Sequence, residues 1–150
     1  LNNKSTYLIY DYDLITKRKI IKRTAAVLFG LYTHLLDEKN AKKAIAFMKR
    51  SHYSKENKEH KMVTSVSIKD KEYDPLNYWR GPIWINLNWL IYKGLKSYGF
   101  NDEADIIKKS ILDLISEHGF YEYYHPSSGK GLGTNNFSWT AALAIDFLNK

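Results

Sequence analysis

Apolar side chains fall into five blocks along the chain, and the spacing inside each block predicts a different kind of helix. From Thr24 to Leu36 nearly every residue is apolar and proline is absent, which predicts a helix buried on all sides. After Asp37, Ala41, Ala44, Ile45 and Met48 recur at helical spacing with Lys and Arg between them, the signature of a one-sided helix from Glu38. Gly81-Pro82 opens a third helix through Trp84, Leu87, Ile91 and Leu95, ending near Gly99. Asn101-Asp102-Glu103 opens a fourth, striped by Ala104, Ile107, Ile111, Leu114 and Ile115 and closed by His118-Gly119. Ser138 is expected to cap a fifth, Trp139 to Leu148, apolar on most sides.

Apolar and one-sided helices therefore alternate. All-round apolar helices belong inside and one-sided helices outside. The expected fold is all-α: an α/α toroid of two concentric layers with five main helices, one domain over residues 1–150 with no internal boundary. In that arrangement the loops 51–81 and 119–137, which lead into inner helices, converge at one end.

The remaining segments are polar. Tyr7-Leu8-Ile9-Tyr10 reads as a short strand that breaks at Asp11-Tyr12-Asp13-Leu14 into a basic turn, Thr16 to Lys19. Asp11 and Asp13 lack the Gly and terminal Glu of a calcium loop, so a charged turn is the reading. Residues 49–72 read as a long surface loop, with a strand at Met62–Ile68 where polar and apolar residues alternate.

Composition adds little to the fold but narrows the chemistry. The chain is 44% hydrophobic and 26% charged, with an aromatic share of 15%. Its net charge of +7 raises nucleic-acid binding, but the lysines are spread along helix faces among acids, the pattern of a solvated surface. No nucleic-acid partner is expected. Cysteine is absent, which removes disulfides and thiolate metal sites. His52 and His60 are too far apart for a helical metal pair, and His34 reads as a core or edge histidine. No metal or cofactor is expected. No apolar run reaches membrane-spanning length and no signal peptide is visible, which favours a cytoplasmic location without a membrane partner. The chain begins at Leu1 rather than Met, which suggests an engineered or processed product or a piece of something longer.

Two stretches carry candidate chemistry. Gly119–Thr140, GFYEYYHPSSGKGLGTNNFSWT, holds six aromatic residues, three glycines within five positions and one acid, Glu122. Rings of this kind stack on pyranose faces, and a carboxylate among them suits a general base. On the residues alone, a surface acid in a Tyr-rich loop is an equal reading. Packing and ligand contact are equally open for Tyr123, Tyr124, Phe137 and Trp139. The glycines lack the Lys-Ser/Thr of a phosphate loop. The second stretch, Asp74 to Trp84, places Asp74, Tyr78, Trp79 and Arg80 at a helix start, where loop side chains face ligands.

Together, YDPLNYWRGPIWINLNWLIYKGL and GFYEYYHPSSGKGLGTNNFSWTAAL resemble the catalytic (α/α)6 domain of glycoside hydrolase family 63. That family includes processing α-glucosidase I and mannosylglycerate hydrolases; family 37 trehalases are more distant. The resemblance runs from about Asp11 to Leu148. It implies inverting hydrolysis of an α-glycoside, glucosyl or mannosyl, by two carboxylates about 6.5–9.5 Å apart. The base would be Glu122, in a Glu-x-Tyr element completed by Tyr124. Trp79 and Arg80 would bind the sugar, with Asp74, Tyr78 and Trp84 behind them and Phe137 and Trp139 closing the pocket. The family's acid, an Asp in a Trp-Asp motif, has no counterpart here. The expectation is the C-terminal part of a longer enzyme whose acid lies in sequence absent from this chain, with the missing part or a second copy as partner. The alternative is a non-catalytic carbohydrate-binding or scaffold module.

Overall fold

A computed structural model describes residues 7–52 and 61–149. Among them are four α-helices, not five: α1 (Glu38–Ser51), α2 (Ile85–Ser97), α3 (Asn101–His118) and α4 (Ser138–Leu148). Two antiparallel hairpins complete the chain, β1 (Asp11–Asp13) with β2 (Arg18–Ile20) and β3 (Tyr121–Tyr124) with β4 (Gly131–Asn135).

The missing helix is the apolar run from Thr24. Only Ala25–Leu28 coils there, as a 3-10 turn, and the chain then winds on through further turns. Ala25, Val27, Leu28 and Leu31 are buried, while Tyr32 and Leu35 face out. Gly30 sits where a Cβ would crowd Ile9 and Leu36 at 3.0–3.2 Å, and His34 takes a left-handed backbone (φ 54°) and stacks on Tyr98. A continuous apolar run looks the same whether it coils into a helix or threads a core as turns.

The first strand is also displaced: Tyr7–Tyr10 lies outside the sheet, and the hairpin forms one step later. Its turn is built by Asp13, whose carboxylate accepts the Ile15 and Thr16 amides and the Thr16 hydroxyl. Those bonds, the Thr16 hydroxyl first, hold Asp13 below the usual carboxylate range. Asp13 therefore serves its own turn.

Residues 61–68 depart furthest from expectation. Met62 to Ser67 are all buried, and they form single bridges instead of a strand. Thr24 pairs with Val66, Thr64 with Ile83, and Ile83 with Tyr124, all antiparallel. His52 belongs to this core, its Nδ1–H donating to the Thr64 carbonyl at 2.9 Å and its ring edge-on to Phe47. Asn88 of α2 clamps Val63 from the other side, accepting its amide at 2.7 Å and donating to its carbonyl at 3.0 Å. His60 lies outside the described residues.

The rungs also delay α2. Pro82 and Ile83 stay extended because Ile83 exchanges hydrogen bonds with Tyr124, at 2.8 and 2.9 Å, so the helix begins at Ile85 with Trp84 as its cap. α2 packs on α3 and α4 around Ile91, Leu95, Ile107, Ile111 and Phe147. α1 is tied to α3 by Lys49–Glu103 at 2.7 Å. α4 buries only Thr140, Ala144 and Phe147, leaving Trp139, Ile145 and Leu148 exposed, so it is not enclosed on all sides. Among the described residues no helix is long and apolar enough to cross a membrane, and no His/Asp/Glu group could hold a metal ion.

Candidate active site

The Ile83–Tyr124 bridge brings the two flagged stretches side by side. The hairpin β3–β4 is aromatic on one strand and glycine-rich on the other for a steric reason. A Cβ at Gly131 would stand 2.1 Å from the Tyr121 ring, so the ring lies against bare backbone. Tyr124 is fully buried beneath, its hydroxyl donating to the Gly119 carbonyl at 2.7 Å and accepting the Tyr121 amide at 2.9 Å. Burial pushes its phenol up to about 12. Thr140 of α4 donates to the Tyr121 carbonyl at 2.7 Å and fixes the hairpin to that helix.

Register slips by one residue at Glu122: Tyr121 faces Asn135, but Tyr123 faces Leu132. The extra residue lies in β4, at Gly133 and Thr134, and Gly133 has φ +70°. This bulge turns the Thr134 amide toward Glu122, whose Oε2 accepts it at 3.3 Å. The other oxygen, Oε1, accepts the Tyr78 hydroxyl at 2.6 Å. Holding its proton against that carboxylate raises the Tyr78 phenol above its ordinary value.

Tyr78 sits on a loop of successive turns, in which Asp74 accepts the Leu76 and Asn77 amides and its own amide donates to the Arg80 carbonyl. Gly81 closes the loop; a Cβ there would lie 2.5 Å from the Asp74 carbonyl oxygen. The aromatic rings form one group. Trp79 stacks on Trp84 with centroids 4.0 Å apart and planes 8° from parallel, and Trp84 stacks on Tyr123 at 5.1 Å and 19°. Tyr78 stands edge-on to Trp79, Trp84 and Tyr123. Trp79 and Tyr78 are each 45% exposed, so the group ends in an open aromatic surface beside the carboxylate.

The candidates thus divide. Glu122, Tyr78 and Trp79 come together at the surface. Trp84 is 2% exposed, with its indole N–H on the Tyr78 carbonyl, and Tyr124 is wholly interior: both support the site from beneath and neither lines it. Arg80 is exposed, its Nε donating to the Glu72 carbonyl. Asp74 is half-buried and holds its own turn. Phe137 and Trp139 meet each other at 6.4 Å, and among the described residues no ring contact joins them to the Trp79–Trp84–Tyr123 group. His125 accepts the amides of Ser127 and Ser128 as a turn residue. The Thr134 amide was not a sequence candidate. Its signal is glycine inside a strand pattern, which marks bulges.

Residues 1–140 match the family model described as the mannosylglycerate hydrolase MGH1-like glycoside hydrolase domain. A mannosylglycerate hydrolase of Rubrobacter radiotolerans is 37% identical over 95% of this chain and 32% of its own length. The crystal structure of the GH63 mannosylglycerate hydrolase of Thermus thermophilus in complex with glucose superimposes with a TM-score of 0.83 at 30% identity, over 99% of this chain and 36% of that one. Neutral trehalase Nth1 of Saccharomyces cerevisiae shares the fold, with a TM-score of 0.71 at 17% identity over 98% of this chain and 27% of that one. The chain thus spans about a third of the length of the two mannosylglycerate hydrolases, and less of the trehalase. With the match running through both the Trp79 loop and the Glu122 hairpin, the chain belongs to the MGH1-like glycoside hydrolase domain family, within the wider GH63 group.

Proposed function

We propose that this chain supplies the base side of an inverting glycosidase acting on α-glucosyl or α-mannosyl substrates. The observation that carries the reading is the Glu122 carboxylate, held by Tyr78 and Thr134 beside the exposed face of Trp79. Family membership and relatives named mannosylglycerate hydrolase support it. Glu122 takes a proton from a water. The resulting hydroxide attacks the anomeric carbon on the face opposite the leaving group. A carboxylic acid from sequence outside these residues gives its proton to the departing oxygen, so one water is consumed and the configuration inverts. Trp79 offers a flat face to the sugar ring and Arg80 a cation beside it; Trp84 and Tyr123 back the platform.

The four helices are read as one part of an α/α toroid. The likeness to trehalase and the apolar face that α4 leaves open support this. A carbohydrate-binding module without turnover is the second reading; it draws on Asp74, the acid within the Trp79 loop itself, being engaged in its own turn.

The test is Glu122→Gln in the native polypeptide. Hydrolysis of mannosylglycerate is expected to stop while calorimetry still detects sugar binding. Turnover at the wild-type rate would overturn the assignment, and binding without any wild-type turnover would establish the second reading.

A further inference from the structure

We propose that Tyr78 and the β4 bulge at Gly133–Thr134 form a positioning apparatus that fixes the Glu122 carboxylate; this rests on the reading of Glu122 as the base. A partly exposed glutamate turns about several bonds, whereas a base for an in-line attack must present one lone pair at one place. Two contacts restrict Glu122, and a third feature leaves room for them. The Tyr78 hydroxyl holds Oε1 at 2.6 Å, and the Tyr78 ring is itself held by edge contacts to Trp79, Trp84 and Tyr123. The Thr134 amide holds Oε2 at 3.3 Å. That amide points at the carboxylate only because the register slips opposite Glu122; a regular ladder would pair it across the strand. The third feature is the missing side chain at Gly133, where a Cβ would lie 2.6 Å from Oε2 and 2.7 Å from the Tyr123 ring.

The bulge therefore has a specific product. It weakens the hairpin by one unpaired residue and a strand glycine, and it gains an amide directed at one carboxylate oxygen with room for that oxygen to stay. Tyr78 supplies the second anchor from a different loop, so the base is clamped between the two stretches of sequence that carry the family match. None of these groups need touch the sugar. Their effect would reach the reaction through Glu122, and so would appear in turnover more than in substrate affinity.

The experiment uses the native polypeptide with mannosylglycerate, glucosylglycerate and an aryl α-glucoside as substrates. Tyr78→Phe, Gly133→Ala and Gly133→Asn are compared with Glu122→Gln, and melting temperatures are measured for all. Asparagine tolerates the left-handed backbone at 133 but restores the Cβ that collides with Oε2. Tyr78→Phe removes one hydroxyl from a half-exposed ring, so it keeps the test open even if the Gly133 variants fail to fold. Expected is a fall in kcat of about 10- to 100-fold for Tyr78→Phe and for Gly133→Asn, with KM within about threefold, in line with losing a hydrogen bond to a charged group. Wild-type kcat in Tyr78→Phe, with Glu122→Gln inactive, would overturn the positioning role and leave the base intact. A raised KM at unchanged kcat would make Tyr78 a substrate binder and overturn it equally. An active Glu122→Gln, or no turnover of any of the three substrates by the wild type, would remove the base reading and this proposal with it.

Discussion

Ile83 and Tyr124 exchange a pair of backbone hydrogen bonds, 2.8 and 2.9 Å long, and this single rung joins the Trp79 loop to the Glu122 hairpin. The Tyr124 side chain secures the same junction, since its hydroxyl serves the Gly119 carbonyl and the Tyr121 amide. Tyr124→Phe leaves both without that partner in the interior. The expected loss is about 1–3 kcal/mol of stability, read by urea unfolding. A variant as stable as the wild type would show that water replaces the hydroxyl.

Asn88 makes a larger claim on stability. Its amide meets both the N–H and the C=O of Val63, in a segment that makes only isolated bridges. Asn88→Leu keeps the volume and orphans both groups. At about 1–3 kcal/mol for each buried unsatisfied group, the expected cost is roughly 2–6 kcal/mol, measured by the shift in denaturation midpoint. A shift under about 1 kcal/mol (fivefold in the folding equilibrium) would place Val63 in contact with solvent.

His52 should make the fold acid-sensitive. Burial holds its pKa down, from 6.5 to about 4, against the smaller opposing effect of its bond to Thr64. Below pH 6.5 the unfolded chain takes up a proton that the folded chain refuses until about pH 4. Stability from this group is therefore complete above pH 6.5 and falls as pH drops toward 4. The total is about 3 kcal/mol. His52→Gln, which can still donate to Thr64, should flatten that part of the stability–pH curve; an unchanged slope would assign the acid loss to other groups.

Trp79 should matter to ligand and little to fold. It is half-exposed and rests on Trp84, which stays in place without it. Trp79→Ala is expected to weaken sugar binding about tenfold, the worth of one good ring contact at about 1–1.5 kcal/mol, with little change in melting temperature. Equal affinity in calorimetry would exclude Trp79 as the platform.

The amphipathic helices α1 and α3 are legible in the sequence because one-sided burial imposes a 3.6-residue rhythm, and their apolar stripes are the ones found buried. The Thr24 run is not, because composition without rhythm does not separate a helix from turns packed in a core. The segment 61–68 misleads for another reason: its hydroxyls read as solvent-facing, yet they cap interior backbone. The Thr64 hydroxyl lies within reach of the carbonyls of Val66 (2.7 Å) and His52 (3.0 Å) and shares its one proton between them, Ser67 donates to the carbonyl of Ser51, and Ser65 accepts the Gly81 amide. At the site, Glu122 and Trp79 stand out by residue type in a local stretch. The Tyr78–Glu122 bond spans 44 residues and leaves no local trace. The bulge is foreshadowed only by the glycine at 133.

That 44-residue span also bears on how the molecule comes into being. Closing so long a loop costs configurational entropy before any contact rewards it. Neither stretch alone can give Glu122 both of its anchors. A nascent or half-collapsed chain would carry the carboxylate unclamped among loose rings. The two-sided hold on Glu122 therefore exists only where both stretches are folded and have met, and any opening that parts them releases one carboxylate oxygen.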